Sequence, residues 1–258
     1  METTLVVIAS VVMGLVIGSF LTVVVDRVPR GASILAPPSA CGSCGHRLTA
    51  PDLVPVASYL ILRGRCRHCG VHIGPEPLVI ELANTTLFVL FGLKFGAHAV
   101  LPAYWCLGAA LVALVWIDLH EFRLPREITY TAFVISVILM MNAAVIDSEF
   151  ANFRDALIGA ALALVIMAAI YFASRGGMGD GDVRLAPLLG LHLGYVSVAI
   201  VPVGLFFGFL IGAVVGVVMM ATSKAGRKTA LPFGPFLAAG TVLAIFVGQD
   251  FVDLIWHG

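Results

Sequence analysis

The feature that most restricts this chain is a succession of apolar runs, each about as long as a bilayer is thick. They fall near residues 4–25, 78–96, 99–117, 128–146, 155–173, 198–222 and 232–249, and each suffices for a helix across the roughly 30 Å hydrocarbon core. An eighth run, Val183 to Leu193, is short for a span. Lying between two well-formed spans, it reads as a short or partly re-entrant helix rather than a loop. The expected fold is an all-α polytopic membrane protein with about eight transmembrane helices. Composition agrees: the chain is 60% hydrophobic and 12% charged with mean hydropathy +1.04, against about 45–50% apolar residues in soluble domains. The amino terminus, Met1-Glu2-Thr3-Thr4, lacks the basic flank of a cleavable signal peptide.

Charge placement sets an orientation. With the amino terminus outside, the polar segment from Asp26 to about Glu76 is cytoplasmic. Of the fifteen Lys and Arg residues only Lys94 and Arg154 then fall outside, leaving thirteen inside, as the positive-inside rule requires. That count includes Lys224, Arg227 and Lys228, which would move outside if the short run did not cross. The chain therefore divides into a first helix (1–25), a cytoplasmic segment (26–77) and a membrane core (78–258).

The cytoplasmic segment carries Cys41-Gly-Ser-Cys44 and Cys66-Arg-His-Cys69, separated by the twenty-one residues 45–65. This is slightly wider than the usual zinc template of paired Cys-x-x-Cys. Four thiolates close a tetrahedral shell, so a Zn²⁺ bound by Cys41, Cys44, Cys66 and Cys69 is structural. A segment of about fifty residues with few large apolar side chains needs such a staple. His46, His68 and His72 lie nearby and read as surface residues. Cys106, inside a span, reads as a small core residue.

The polar chemistry inside the membrane core sits in two places. Asp118 ends the apolar run Val115-Trp116-Ile117. Asp180 and Asp182 stand among four glycines in Gly176-Gly177-Met178-Gly179-Asp180-Gly181-Asp182-Val183-Arg184-Leu185. A carboxylate at membrane depth costs about 2.5–3.5 kcal/mol on insertion scales and is a functional hypothesis by default. The chosen orientation brings all three acids to the cytoplasmic face. Asp118 with one acid of the glycine stretch then makes a two-carboxylate hydrolytic site; the plainer reading is that each Asp marks a helix end. Asp182 immediately precedes an apolar helical run, where Asp is a favoured N-cap, while Asp180, flanked by glycines, reads as solvated and mobile.

Taken together, these motifs resemble the type IV prepilin peptidases, bacterial inner-membrane leader peptidases and N-methyltransferases. Matching pieces run nearly end to end. They begin with Gly18-Ser19-Phe20-Leu21, the Cys-x-x-Cys pairs with Ser58-Tyr59-Leu60 and Leu62-Arg63-Gly64-Arg65-Cys66, and Pro77-Leu78-Val79 with Glu81. Asp118 with Pro125, the Gly-x-Gly-Asp block and Pro232-Phe233-Gly234-Pro235 follow in the family's order. There are departures: Thr22 and Asp26 stand where the family usually has Asn and an aromatic or other polar residue. Arg126 follows Pro125 in place of a common Asp, Ile80 is an extra residue before Glu81, and Arg184 replaces Lys.

The resemblance implies a catalytic pair of aspartates. The family's block continues from its acid through an apolar residue to a basic one and Leu, which fits Asp182-Val183-Arg184-Leu185 and so selects Asp118 and Asp182. Gly179, Asp180, Gly181 and Arg184 would support the catalytic loop. It further implies type IV prepilin and pseudopilin precursors as substrates, cut after a short basic leader at the cytoplasmic face. S-adenosylmethionine is implied as methyl donor for the new amino terminus, with its binding residues undefined. The lipid bilayer is the expected surrounding, and no nucleic-acid partner is expected.

Two other classes fit part of the pattern: a small proton- or cation-coupled transporter using Asp118 and Asp182, and a non-catalytic scaffold for pilus assembly that keeps the zinc module. The halves show no internal repeat, and a transporter gives no reason for a zinc-bearing loop. Gly14-x-x-x-Gly18 and the four-residue repeat Gly204, Gly208, Gly212, Gly216 mark close helix packing. His98, His192 and His257 read as interfacial or loop residues, Glu121 and Glu127 as solvated loop charges. Trp105, Trp116 and Trp256 sit near span ends, where indoles favour the interface.

Overall fold

The computed structural model describes residues 1–175, 177–222 and 231–257, without the side chains of the last two. Lys224, Arg227 and Lys228 lie outside the described residues, as do the side chains of Trp256 and His257. The helices are α1 (Glu2–Arg27), α2 (Ala57–Ile61), α3 (Glu76–Phe95), α4 (Leu101–Glu121), α5 (Arg126–Ile146), α6 (Phe150–Ala173), α7 (Asp180–Val196), α8 (Ile200–Ala221) and α9 (Gly234–His257). Among the described residues there is no strand, and seven helices are long and apolar enough to cross a membrane: α1, α3, α4, α5, α6, α8 and α9. The short run is a helix, α7, seventeen residues long with Pro187 inside it. Two compact units share α4. One comprises Met1–Ala97 and Gly108–Trp116, the other His98–Leu107 and Ile117–Gly258.

In the first unit α1 lies along α3, and its glycines explain how. A Cβ on Gly14 would stand 2.7 Å from Thr85 Cα, and one on Gly18 2.8 Å from Glu81 Cα. Only a residue without a side chain lets the two backbones come this close. The Asn84 side-chain amide, fully buried, donates to the Gly14 carbonyl at 2.8 Å, and Phe88 and Phe91 are also fully buried. Between α1 and α3 the chain makes two matching turns. Cys41 N–H donates to His46 O and Gly45 N–H to Cys41 O; Cys66 N–H donates to Val71 O and Gly70 N–H to Cys66 O. Gly45 (φ +68°) and Gly70 (φ +69°) sit four residues after the first Cys of each pair, in the left-handed region that glycine enters freely.

In the second unit α6 and α7 cross where Gly159 meets Gly194: a Cβ on Gly194 would stand 2.8 Å from Gly159 Cα. The expected glycine stripe of α8 packs on α9. Cβ atoms on Gly208 and Gly212 would lie 3.0 Å from Leu237 Cα and from the Phe236 ring, whereas one on Gly216 would meet only Leu231, at 3.8 Å. Glu121 and Glu127 are exposed, in line with solvated charges. His192 departs from expectation. It is not interfacial but wholly buried, its Nδ1 2.9 Å from Leu188 O and its Nε2 3.1 Å from Ala103 O. The reason is that α7 is helical throughout, which turns His192 towards Tyr104 of α4; the Tyr104 hydroxyl donates to the His192 carbonyl at 2.8 Å.

Candidate active site

Asp118 sits in the last turn of α4. That turn closes through Phe122, whose N–H donates to the Asp118 carbonyl at 3.0 Å from a left-handed conformation (φ +55°). The Asp118 side chain is 5% exposed, and its Oδ2 accepts the Gly234 N–H at 2.9 Å. Gly234 is the first residue of α9, so an unpaired donor of a helix start, together with the helix dipole, is aimed at the carboxylate.

Asp182 is 6% exposed on α7. The helix begins two residues earlier than the apolar pattern suggests, with Gly179 at its N-cap. Asp182 is therefore inside the first turn rather than at the cap. Its carboxylate lies back towards the start of the helix, where a Cβ on Gly179 would stand 3.5 Å from Asp182 Oδ2. The reason is that Asp180, not Asp182, takes the first helical position. Asp180 is exposed as expected, yet it is held rather than mobile, because its carboxylate pairs with Arg184 one turn on.

Leu124, in the loop from α4 to α5, connects the surroundings of Asp118 and Asp182. A Cβ on Gly181 would stand 3.1 Å from Leu124 Cβ, and one on Gly234 3.1 Å from Leu124 Cδ2. Two of these features escaped sequence reasoning: the Gly234 amide and the Leu124 wedge. For the amide, a glycine between Pro232 and Pro235 gave a motif without a role; for Leu124, one Leu in a loop gave no signal.

The four cysteines come together in the first unit. Their sulfurs all lie within 4.8 Å of one another, with Cys41 and Cys69 Sγ 3.8 Å apart. A tetrahedral thiolate shell with metal–sulfur bonds near 2.3 Å has edges of about 3.8 Å, so the cluster fits one metal ion. The amides of Cys44 and Ser43 bring the Cys41 thiol down to about 6. For Cys69 the Val71 amide pulls the same way, yet desolvation and the three neighbouring thiols push it up to about 11. Four sulfurs this close resist joint ionisation without a cation. The exposed His46 and His68 rings stack 3.4 Å apart where the two turns meet.

Comparison with known proteins agrees from end to end. Residues 12–95 match the bacterial peptidase A24 N-terminal domain, and residues 105–217 match the type IV leader peptidase family. The chain is 32% identical to a prepilin leader peptidase/N-methyltransferase of Bacillus subtilis (strain 168), over 94% of each chain. It is 36% identical to one of Burkholderia pseudomallei (strain 1026b), over 95% of this chain and 87% of the relative. A Pseudomonas aeruginosa relative of the same name is 30% identical over 95% and 91%. No solved structure matches. A transporter finds no support in these relatives. With seven membrane-length helices and these matches over nearly its whole length, the chain belongs to the type IV leader peptidase family and is a multi-pass bacterial inner-membrane enzyme of the prepilin leader peptidase/N-methyltransferase kind.

Proposed function

We propose that Asp118 and Asp182 form a two-carboxylate hydrolytic centre that cuts the basic leader from type IV prepilins and pseudopilins at the cytoplasmic membrane face. The observation that carries this reading is the burial of both acids, one in the last turn of α4 and one in the first turn of α7, with Leu124 packed between Gly181 of α7 and the Gly234 that meets Asp118. Two adjacent carboxyls share one proton. The ionised one takes a proton from water as the oxygen attacks the scissile carbonyl carbon. The protonated one polarises that carbonyl, then delivers its proton to the nitrogen as the C–N bond breaks. Gly179, Asp180, Gly181 and Arg184 serve as support: Gly179 is the N-cap of α7, Gly181 leaves room for Leu124, and the Asp180–Arg184 pair braces the first turn of α7.

The amino terminus lies outside and α7 crosses the membrane, an orientation supported by the thirteen-to-two distribution of basic residues. Residues 26–77 serve the methyl transfer named in the relatives, and residues 78–258 the cleavage. Cys41, Cys44, Cys66 and Cys69 hold a structural Zn²⁺, the ion that suits four thiolates. S-adenosylmethionine, when bound, supplies an electrophilic methyl group to the new α-amine. Co-expression with a tagged prepilin tests the cleavage: wild type shortens the precursor, while Asp118→Asn and Asp182→Asn leave it full length at matched expression. An intact precursor with wild type, or full processing by Asp182→Asn, overturns the assignment.

A further inference from the structure

The first unit holds a cavity of about 410 Å³, within the range of small-molecule sites. Its walls come from α1 (Ser19, Thr22), from the start of α3 (Glu81) and from the two cysteine turns with Tyr59 and Leu62 between them. Two acids and two arginines line it. Asp52 and Arg67 are committed to each other: Arg67 Nε donates to Asp52 at 2.6 Å, and the Thr49 hydroxyl and amide complete the acid's partners. The Thr49 hydroxyl and Arg67 hold Asp52 well below the usual carboxylate range. Glu81 and Arg65 remain. Glu81 is 6% exposed, and among the described residues it has no cationic partner; its Oε2 accepts only the Val56 N–H, at 2.7 Å. Arg65 is exposed, with no carboxylate partner among the described residues.

Burial of a carboxyl with one neutral donor and no cation is unfavourable unless something else meets it. The backbone at its partner is itself strained. Val56, a β-branched residue, sits at φ +59°, ψ −51°, a conformation that persists only where its surroundings hold it and that clusters at ligand sites. Glu81 thus tethers the strained turn with one oxygen while lining the cavity. The arrangement offers one uncommitted acid and one uncommitted guanidinium on apolar walls, the complement of an amino-acid zwitterion: an ammonium for Glu81 and a carboxylate for Arg65.

We propose that this cavity binds the methyl donor by its amino-acid end, with Glu81 meeting the ammonium and Arg65 the carboxylate of S-adenosylmethionine. The proposal rests on the methyl-transfer reading above. Full-length protein in nanodiscs, equilibrated with tritiated S-adenosylmethionine, provides the test, with displacement by 5′-methylthioadenosine, which lacks the amino-acid part. Wild type should bind one donor per chain and prefer it to methylthioadenosine. Glu81→Gln and Arg65→Ala should each weaken donor binding at least 10-fold, leave methylthioadenosine binding within 2-fold, and still cut precursor. Donor binding by Glu81→Gln as tight as wild type overturns the proposal alone, as does an equal loss for both nucleosides. Wild type that cuts precursor yet binds no donor removes the methyl-transfer reading itself.

Discussion

The Gly234 backbone amide donates to Asp118 Oδ2 at 2.9 Å, although 116 residues separate the two in the chain. A Cβ on Gly234 would stand 2.7 Å from that oxygen and 3.1 Å from Leu124, so alanine there must push the carboxylate aside. A misplacement of about 1 Å costs on the order of 100-fold in rate. Gly234→Ala is expected to lower kcat for precursor cleavage by about that factor with little change in KM. Gly216→Ala, on α8 with only Leu231 nearby at 3.8 Å, should cut normally. A Gly234→Ala enzyme with wild-type kcat would separate the amide from the acid's positioning.

Asp180 offers a contrast with its neighbour two residues on. It is exposed and its pair with Arg184 is an i,i+4 surface contact, worth about 0.3–0.5 kcal/mol. Asp180→Asn should retain cleavage within a few-fold of wild type in the tagged-prepilin assay, with unchanged thermal stability. A dead Asp180→Asn beside an active Asp182→Asn would mean that the first acid of the glycine stretch is the working one.

Metal content is expected to be one zinc ion per chain. Cys41→Ser and Cys66→Ser should each lower it in purified protein measured by elemental analysis. Because bound thiols must be deprotonated, the metal's contribution to stability is present at neutral pH and lost on acidification as protons compete for sulfur. Chelator should expose all four thiols to alkylation while leaving precursor hydrolysis less affected than methylation. Zinc-free wild type with freely alkylated thiols contradicts the assignment.

The crossing of α6 and α7 sets a steric demand. A Cβ on Gly194 would lie 2.8 Å from Gly159 Cα and 3.1 Å from Ala156 Cα, backbone against backbone. Gly194→Val should reduce monodisperse protein in detergent and lower Tm, since overpacking costs about 1–3 kcal/mol. Unchanged Tm would show that the helices can part without loss.

Much of this was legible beforehand because lipid allows so few backbone solutions. Apolar runs located every long helix, although α9 runs eight residues past the expected end at 249 and α6 starts five residues before 155, and Gly14 and Gly18 marked the face that α3 covers. What escaped notice came from groups that leave no side-chain trace. The donor to Asp118 is a peptide N–H. The position of Asp182 inside the first turn of α7 follows from a helix start at Asp180, where flanking glycines read as loop. His192 looked interfacial because its polarity outweighed its place in the stretch 188–195 of α7, every residue of which is buried. The Gly190-x-x-x-Gly194 spacing in that same helix was an available signal for the α6 crossing.

Leu124 touches the places that Cβ atoms on Gly181 and Gly234 would occupy, so one aliphatic side chain works as a feeler gauge between the starts of α7 and α9. Exchanges of Leu124 for Val, Ile or Met would then reset the spacing between these two helix starts without altering Asp118 or Asp182. The distance between two helix starts thus has an adjustment that lies on a loop residue rather than on either helix.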